Sequence, residues 1–151
     1  MSKIDDQNQE MTASKVIPLE AGDSVSFSKT VGESDVYLFA GITGDFSPNH
    51  INEEVMSKTP FKHRVAHGVL SLGFASTTST MMIERTGMTA VSYGYDRVRF
   101  IKPVLVGDTI TATYTIAEID EETLKTYADI KIVNQRGELC TVARHILKFI
   151  M

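Results

Sequence analysis

The 151-residue sequence lacks several features that would indicate particular classes of protein. It has one cysteine, Cys140, which excludes an internal disulfide, and it has no CxxC pair. Its 15 basic residues are outnumbered by 19 acidic residues and are interspersed with them, so no basic stripe indicates a nucleic-acid partner. No apolar run is long enough to span a bilayer, so no membrane partner is expected.

Residues 1–14 also lack the apolar segment of a secretory signal, because they are polar and include Asp5, Asp6 and Glu10. A cytoplasmic location is therefore expected. We predict a flexible N-terminal extension over residues 1–14 and one domain over residues 15–151. The hydrophobic content of 42% and the length of the chain are typical of a globular protein with one sizeable core.

The first part of the domain predicts one strand and one short helix. Alternating apolar residues over residues 24–31 are typical of a strand with one buried face. Ser34 is expected to cap a helix that Gly41 and Gly44 end.

Residues 45–50 are expected to be irregular, because Pro48 has no N–H and restricts the residue before it. Asn52 is expected to cap a second short helix. Residues 67–84 are too long a run of apolar and small residues for one strand, which favours a long helix buried on most sides.

The second half of the chain predicts four strands, of which residues 110–116 show the clearest alternation of apolar residues with threonines. The apolar positions change parity between Tyr95 and Val98, which indicates a β-bulge or burial on both faces. The element order predicts an α+β domain in which an antiparallel sheet curls around one helix. Open sheet edges favour a homodimer.

The stretch from residue 44 to residue 76 carries the candidate chemistry. It begins with an acid and an imidazole, Asp45 and His50, and continues to His67 and Gly68, where the long helix begins. An acid, a base and a helix N-terminus within one short run favour proton transfer on a carbonyl compound.

The same residues carry a resemblance to a known family. The segment GDFSPNHINEEVMSKTPFKHRVAHGVL, residues 44–70, resembles the hydratase motif of the MaoC-like (R)-specific enoyl-CoA hydratases and dehydratases. Residues 95–108 are similar to the strand-turn pattern of that family, and the resemblance runs from about residue 24 to the C-terminus. It implies a hot-dog fold, in which the sheet wraps around a long central helix.

The resemblance also implies an activity, which is the hydration of trans-2-enoyl-CoA to (R)-3-hydroxyacyl-CoA or the reverse dehydration. Asp45 and His50 match the catalytic pair of the family. Gly68 matches the glycine whose N–H holds the thioester oxygen, Ser76 matches a supporting helix serine, and Asn49 matches a residue that fixes the catalytic turn.

The implied substrate is an acyl thioester, carried either by coenzyme A or by acyl carrier protein, in fatty acid metabolism. No cofactor is expected, because the thioester already acidifies C2. Arg97, Arg99 and Lys102 could contact coenzyme A phosphates or remain solvated. His63 and His67 have the spacing of helical metal ligands but lack a third ligand, so no metal is expected, and His67 is expected to order the loop before the helix.

Two alternatives remain open at this point. A hot-dog acyl-CoA thioesterase would place a carboxylate on the long helix, but residues 71–83 contain none. A non-catalytic acyl-CoA-binding protein of the same fold would not require the pair of Asp45 and His50.

Overall fold

The computed structural model describes residues 16–151, so the predicted extension at residues 1–14 lies outside the described residues. Five strands form one antiparallel sheet: β1 (Ser24–Thr30), β2 (Thr89–Phe100), β3 (Thr109–Asp120), β4 (Lys125–Asn134) and β5 (Leu139–Ile150). Their spatial order is β1-β3-β4-β5-β2, which leaves β1 and β2 at the two edges. The prediction of one strand, a helical middle and four further strands is confirmed.

The predicted alternation in β3 is confirmed by the burial of its side chains. Ile110, Ala112, Tyr114 and Ile116 are buried on the inner face. The threonines between them face outward, and their hydroxyls pair with hydroxyls of β1, as Thr111 does with Ser28 at 2.8 Å. The period of two therefore separates an apolar inner face from a hydroxyl-bonded outer face.

The change of parity in β2 corresponds to a β-bulge. The register between β2 and β5 shifts between Asp96 and Arg99. Arg97 lies in this interval with a φ of 54°, which bends the strand. The bulge places Val98 on the core side without breaking the strand.

Four helices connect β1 to β2: α1 (Glu33–Thr43), α2 (Pro48–Ile51), α3 (Glu53–Ser57) and α4 (Gly68–Thr86). The predicted long helix is confirmed as α4. It packs on the inner face of the sheet, where Leu70, Ala75 and Met82 join a core that includes Leu147 and Phe149. Among residues 16–151, none of the helices has the length and apolar character needed to cross a membrane.

The predicted cap of α1 is wrong. Gly32 precedes the helix, and its N–H donates to Asp35 Oδ2 at 2.8 Å, whereas Ser34 lies inside the first turn. Gly41 also lies inside the helix, which ends at Gly44 with a φ of 82°. The local sequence offered two start positions two residues apart, and the Asp35 side chain favours the earlier one because it satisfies the N–H of Gly32 at the helix start.

The prediction of irregular backbone over residues 45–50 is wrong in its second half. Pro48 begins α2, because proline is tolerated at the first helical position, where its missing N–H would have no intrahelical partner. Asn52 caps α3 as predicted, and its Oδ1 accepts the Val55 N–H at 3.0 Å.

The expectation that α4 is buried on most sides is also wrong for the single chain. Val69 is 59% exposed. Gly73, Ser76, Thr77 and Thr80 continue the same exposed face. One sheet covers only one side of a helix, so the opposite face of small residues stays open.

Candidate active site

The turn that carries Asp45 begins where α1 ends. Gly44 takes the left-handed conformation that terminates the helix, and its N–H donates to the Ala40 carbonyl at 2.8 Å. The Asp45 N–H donates to Thr43 Oγ1 at 3.2 Å, and the Ser47 N–H donates to Asp45 Oδ1 at 3.2 Å. The Asp45 side chain is 52% exposed, and one backbone bond restrains its carboxylate.

The second candidate residue, His50, lies on α2 with its side chain 13% exposed. Its Nδ1 lies 2.7 Å from the backbone carbonyl of Val65. A carbonyl oxygen only accepts hydrogen bonds, so Nδ1 carries the proton and Nε2 is left with a free lone pair. Nε2 lies 3.9 Å from Asp45 Oδ2, so a basic nitrogen and a carboxylate oxygen face each other.

His67 lies beneath this pair. It is the residue before α4, its side chain is 3% exposed, and its Nε2 donates to the Asp45 carbonyl oxygen at 3.0 Å. The rings of His67 and His50 stack with centroids 3.6 Å apart. The ring of His67 therefore contacts the Asp45 turn, which α2 and α3 separate from α4 in the sequence. Its expected role in ordering the loop directly before α4 stays a prediction.

Gly68 is the first residue of α4, so its N–H has no partner within the helix. A Cβ at this position would lie 2.9 Å from Phe100 ring atoms. Glycine is therefore required for the ring of Phe100 to lie against the helix start.

A cavity of about 350 Å³ opens beside these residues. His50 and Gly68 form part of its wall, and the Ser71 and Thr141 hydroxyls, 3.1 Å apart, contribute a buried polar patch. The rest of the wall is mainly apolar, and the lining residues are Phe61, Val65, Ala66, Phe100, Ile101, Lys102, Pro103 and Val104. An apolar cavity with a few converging polar groups is typical of a small-molecule site.

The structure brings together four of the predicted site residues: Asp45, His50, Gly68 and Lys102. Lys102 lines the cavity, and its Nζ pairs with Glu138 Oε1 at 2.8 Å. A lysine at the cavity wall is placed to meet an anionic group, although here it has a carboxylate partner.

The other predicted residues lie elsewhere in the single chain. The Asn49 side chain is exposed, and its carbonyl accepts the Val65 N–H at 3.0 Å. Ser76 lies on the exposed face of α4. Arg97 lines a separate groove, and Arg99 Nη1 donates to the carbonyl of Val98 at 2.7 Å.

Asp45, His50 and His67 form a group of potential metal ligands. One potential ligand atom from each of the three residues lies within 4.8 Å of the others. His63, the other histidine considered as a ligand, instead bonds to Glu53 Oε1 at 2.8 Å. The predicted absence of a metal stays a prediction.

A charged network around Arg64 was not predicted. Its Nη1 contacts Glu33 Oε1 and the Tyr37 hydroxyl of α1, each at 2.6 Å, and its Nε contacts Glu53 Oε2 of α3 at 3.3 Å. The hydrogen bond from Arg64 is the main cause that lowers the pKa of Glu33. Arg64 directly precedes Val65, so the network ties the partner of His50 to two helices. Arg64 is 11 to 31 residues from these partners in the sequence, so no local pattern revealed the network.

His145 has the contacts of a structural residue. It is fully buried between Ser92 Oγ, 2.7 Å from Nε2, and the Tyr114 hydroxyl, 3.1 Å from Nδ1, and it stacks on Tyr95. Burial lowers the pKa of His145 to about 4 and raises the pKa of Tyr114. It does not line the cavity beside His50.

The MaoC like domain matches residues 9–135, which is most of the chain. The chain belongs to the MaoC-like dehydratase family. Among relatives of this MaoC-like chain, an (R)-specific enoyl-CoA hydratase of Rhodospirillum rubrum is 41% identical over 104 residues, covering 69% of this chain and 70% of that protein.

Two further similarities agree with this membership. A 3-hydroxybutyryl-CoA dehydratase of Methylorubrum extorquens is 34% identical, over 69% of this chain and 64% of that protein. The solved (R)-hydratase of A. caviae involved in PHA biosynthesis superposes with a TM-score of 0.77 at 27% identity, covering 87% of this chain and 97% of that one. The MaoC-like chain has the predicted α+β hot-dog fold.

Proposed function

We propose that this protein is an (R)-specific enoyl-CoA hydratase, which adds water to trans-2-enoyl thioesters and catalyses the reverse dehydration of (R)-3-hydroxyacyl thioesters. One observation carries the proposal. The Val65 carbonyl fixes His50 in the tautomer whose basic Nε2 faces the Asp45 carboxylate across 3.9 Å. The hydratase and dehydratase names of similar proteins support the same reaction.

In the proposed reaction, a water molecule bonds to both His50 Nε2 and Asp45 Oδ2. One O–H bond of water breaks as its oxygen attacks C3, and the pair accepts the proton. A proton from the same pair then forms the new C2–H bond, so the net change is one water added across C2=C3. General acid–base catalysis of this kind contributes roughly 10²- to 10⁴-fold to the rate.

The negative charge that develops on the thioester oxygen would be held by the Gly68 N–H. This N–H is free at the start of the 19-residue helix α4, whose dipole adds positive potential there. Stabilising charge at this oxygen lowers the barrier to attack at C3. No metal or other cofactor takes part in this proposal. Asn49 would support the catalytic turn through its backbone bond to Val65.

The substrate would enter along the cavity beside His50, whose apolar wall suits an acyl or pantetheine chain. We infer that Lys102 meets an anionic group of the carrier, either coenzyme A or acyl carrier protein, by exchanging its bond to Glu138. Arg97 and Arg99 lie outside this cavity wall, so phosphate contacts from them are a weaker part of the proposal.

A homodimer would cover the surfaces that the single chain leaves open. The edge strand β2 exposes Val91 and Tyr93, at 46% and 62%, and α4 exposes its face of small residues, including Ser76. A second copy paired along β2 would protect this edge and enclose Ser76. We further infer a cytoplasmic location, which suits the single buried Cys140.

The test is the loss of the ultraviolet absorbance of the enoyl thioester when purified protein is mixed with crotonyl-CoA, followed by chiral analysis of the product. We expect wild type to form the (R)-3-hydroxy thioester. If no enoyl-CoA in a chain-length series is hydrated, the proposal is wrong. Release of free coenzyme A from saturated acyl-CoAs would instead favour the thioesterase alternative. That alternative requires a carboxylate on the long helix, and residues 71–83 of this chain contain none.

A further inference from the structure

We propose that His67 is a positioning residue that holds Asp45 and His50 at their working separation. This inference rests on the proposed function, because it concerns the same pair. His67 Nε2 bonds to the backbone carbonyl of Asp45 and also lies 3.9 Å from Asp45 Oδ2, and the His67 ring stacks on that of His50. It would act through these residues without touching the reacting atoms.

The contact with Asp45 compensates for a weakly restrained carboxylate. The Asp45 side chain is half exposed, and the Ser47 N–H is its one close hydrogen-bond donor within residues 16–151. The 3.0 Å bond from His67 Nε2 to the Asp45 carbonyl fixes the backbone from which that side chain extends. His67 is 3% exposed, so its ring is held by the core.

The contact with His50 restrains the motion that its own hydrogen bond leaves free. The bond from His50 Nδ1 to the Val65 carbonyl restrains rotation of the ring within its own plane. The parallel ring of His67, 3.6 Å away, limits tilting of that plane. Phe39 packs against His67 with centroids 4.8 Å apart, so the lower ring is itself supported.

The hydrogen bonds also determine the protonation of His67. The Asp45 carbonyl only accepts, so Nε2 carries the proton. Nδ1 is buried and has no hydrogen-bond partner within residues 16–151. The bond to Asp45 therefore selects the tautomer in which Nε2 is the donor.

Two substitutions separate the two contacts. His67→Phe keeps a buried aromatic ring for His50 but removes the donor to Asp45. His67→Gln places an amide N–H near the position of Nε2 but removes the ring. A displacement of reacting groups by about 1 Å can cost up to roughly 100-fold in rate. We expect kcat to fall about 10- to 100-fold in His67→Phe with KM within threefold, and His67→Gln to recover at least threefold of that loss.

The experiment measures kcat and KM with crotonyl-CoA, or the best substrate of the chain-length series, together with circular dichroism and thermal unfolding. Asp45→Asn is included, and His63→Gln is the matched control because His63 is 66% exposed and belongs to the same loop. A kcat of His67→Phe within threefold of wild type would overturn the inference. It would also be overturned if kcat in His67→Phe and His67→Gln fell only in proportion to the fraction of folded protein. If Asp45→Asn retains full turnover, Asp45 has no part in the mechanism and the inference about His67 fails with it, whereas the proposed function itself fails only if wild type hydrates no enoyl-CoA of the series.

A measurement on the wild-type protein applies even if His67→Phe does not fold. Nitrogen–proton correlation spectra of the histidine rings report which nitrogen carries the proton. We expect the spectra to show the proton on His67 Nε2, the nitrogen that bonds to the Asp45 carbonyl. A proton on Nδ1 with Nε2 unprotonated would contradict the inference.

Discussion

The Nδ1–H of His50 donates to the carbonyl of Val65 at 2.7 Å, and this bond decides which ring nitrogen faces Asp45. Because Nε2 is left unprotonated, it can accept a proton 3.9 Å from the carboxylate oxygen. The Val65 N–H in turn donates to the carbonyl of Asn49, the residue before His50. The segment around Val65 is therefore bonded to α2 twice, through the backbone of Asn49 and through the ring of His50.

The first prediction concerns the catalytic pair. Asp45→Asn and His50→Ala are each expected to lower kcat by roughly 10²- to 10⁴-fold, because each removes a proton acceptor. The circular dichroism spectrum should stay unchanged, since Asp45 is 52% exposed and His50 lines the cavity. His63→Ala should retain near wild-type rates. Near wild-type turnover in either variant would remove that residue from the mechanism.

The second prediction concerns Gly68. In Gly68→Ala, the new Cβ would lie 2.9 Å from the ring of Phe100, so the ring must move and the proposed oxyanion site with it. We expect kcat/KM to fall about tenfold. Adding Phe100→Ala should restore part of the loss. Gly41→Ala in α1, where nothing lies within 4 Å, is the control. A Gly68→Ala variant with wild-type kcat/KM would show that the close approach of Phe100 to residue 68 does not affect catalysis.

The third prediction concerns Arg64, which ties α1 and α3 to the loop before Val65. Arg64→Met should lower the thermal midpoint by about 2–4 °C and reduce kcat several-fold, because the anchor of His50 becomes less restrained. Lys58→Met is the comparison, since Lys58 forms an exposed pair with Glu54 within one helical turn. Equal effects of the two substitutions on kcat would argue against the tether.

The fourth prediction concerns the pH dependence of stability. His145 has a folded pKa of about 4, below its ordinary value of 6.5, because it is buried against Ser92, Tyr95 and Tyr114. Its contribution to the free energy of unfolding is complete above pH 6.5 and is lost as the pH falls towards 4, since the unfolded chain binds the proton first.

Urea unfolding of wild type and His145→Gln from pH 7 to pH 4 measures this contribution. Carboxylates with lowered pKa values, such as Glu138 and Asp108, contribute equally to both proteins, so the difference between the two slopes reports His145. Wild type should lose stability more steeply below pH 6.5. Parallel slopes would show that His145 does not titrate with unfolding.

The fifth prediction concerns the open edge at β2. Val91→Asp combined with Tyr93→Asp should yield a monomer, because charges on an edge strand oppose pairing with a second copy. Light scattering should give the 16.7 kDa mass of one chain for this variant and twice that mass for wild type. Leu38→Asp, at an equally exposed site in α1, should stay dimeric. A monomeric wild type would contradict the proposed homodimer.

The sequence by itself predicted the features that depend on neighbouring residues. Alternation over residues 110–116 identified β3, the change of parity near Arg97 identified the bulge, and the length of residues 67–84 identified α4. Asp45 and His50 were found because a turn of six residues places both side chains at one site. Local errors, such as Ser34 for Gly32 at the start of α1, arose where two nearby residues are both acceptable helix caps.

The tertiary structure alone decided which distant groups meet. The bond of His67 to Asp45 spans 22 residues, the contact of Ser71 with Thr141 spans 70, and neither has a sequence period. The tertiary structure also left the Ser76 face of α4 exposed, since one sheet covers only one side of a helix. Periodicity reports how a segment divides its own faces between core and solvent, whereas the partner of each face depends on how the whole chain packs.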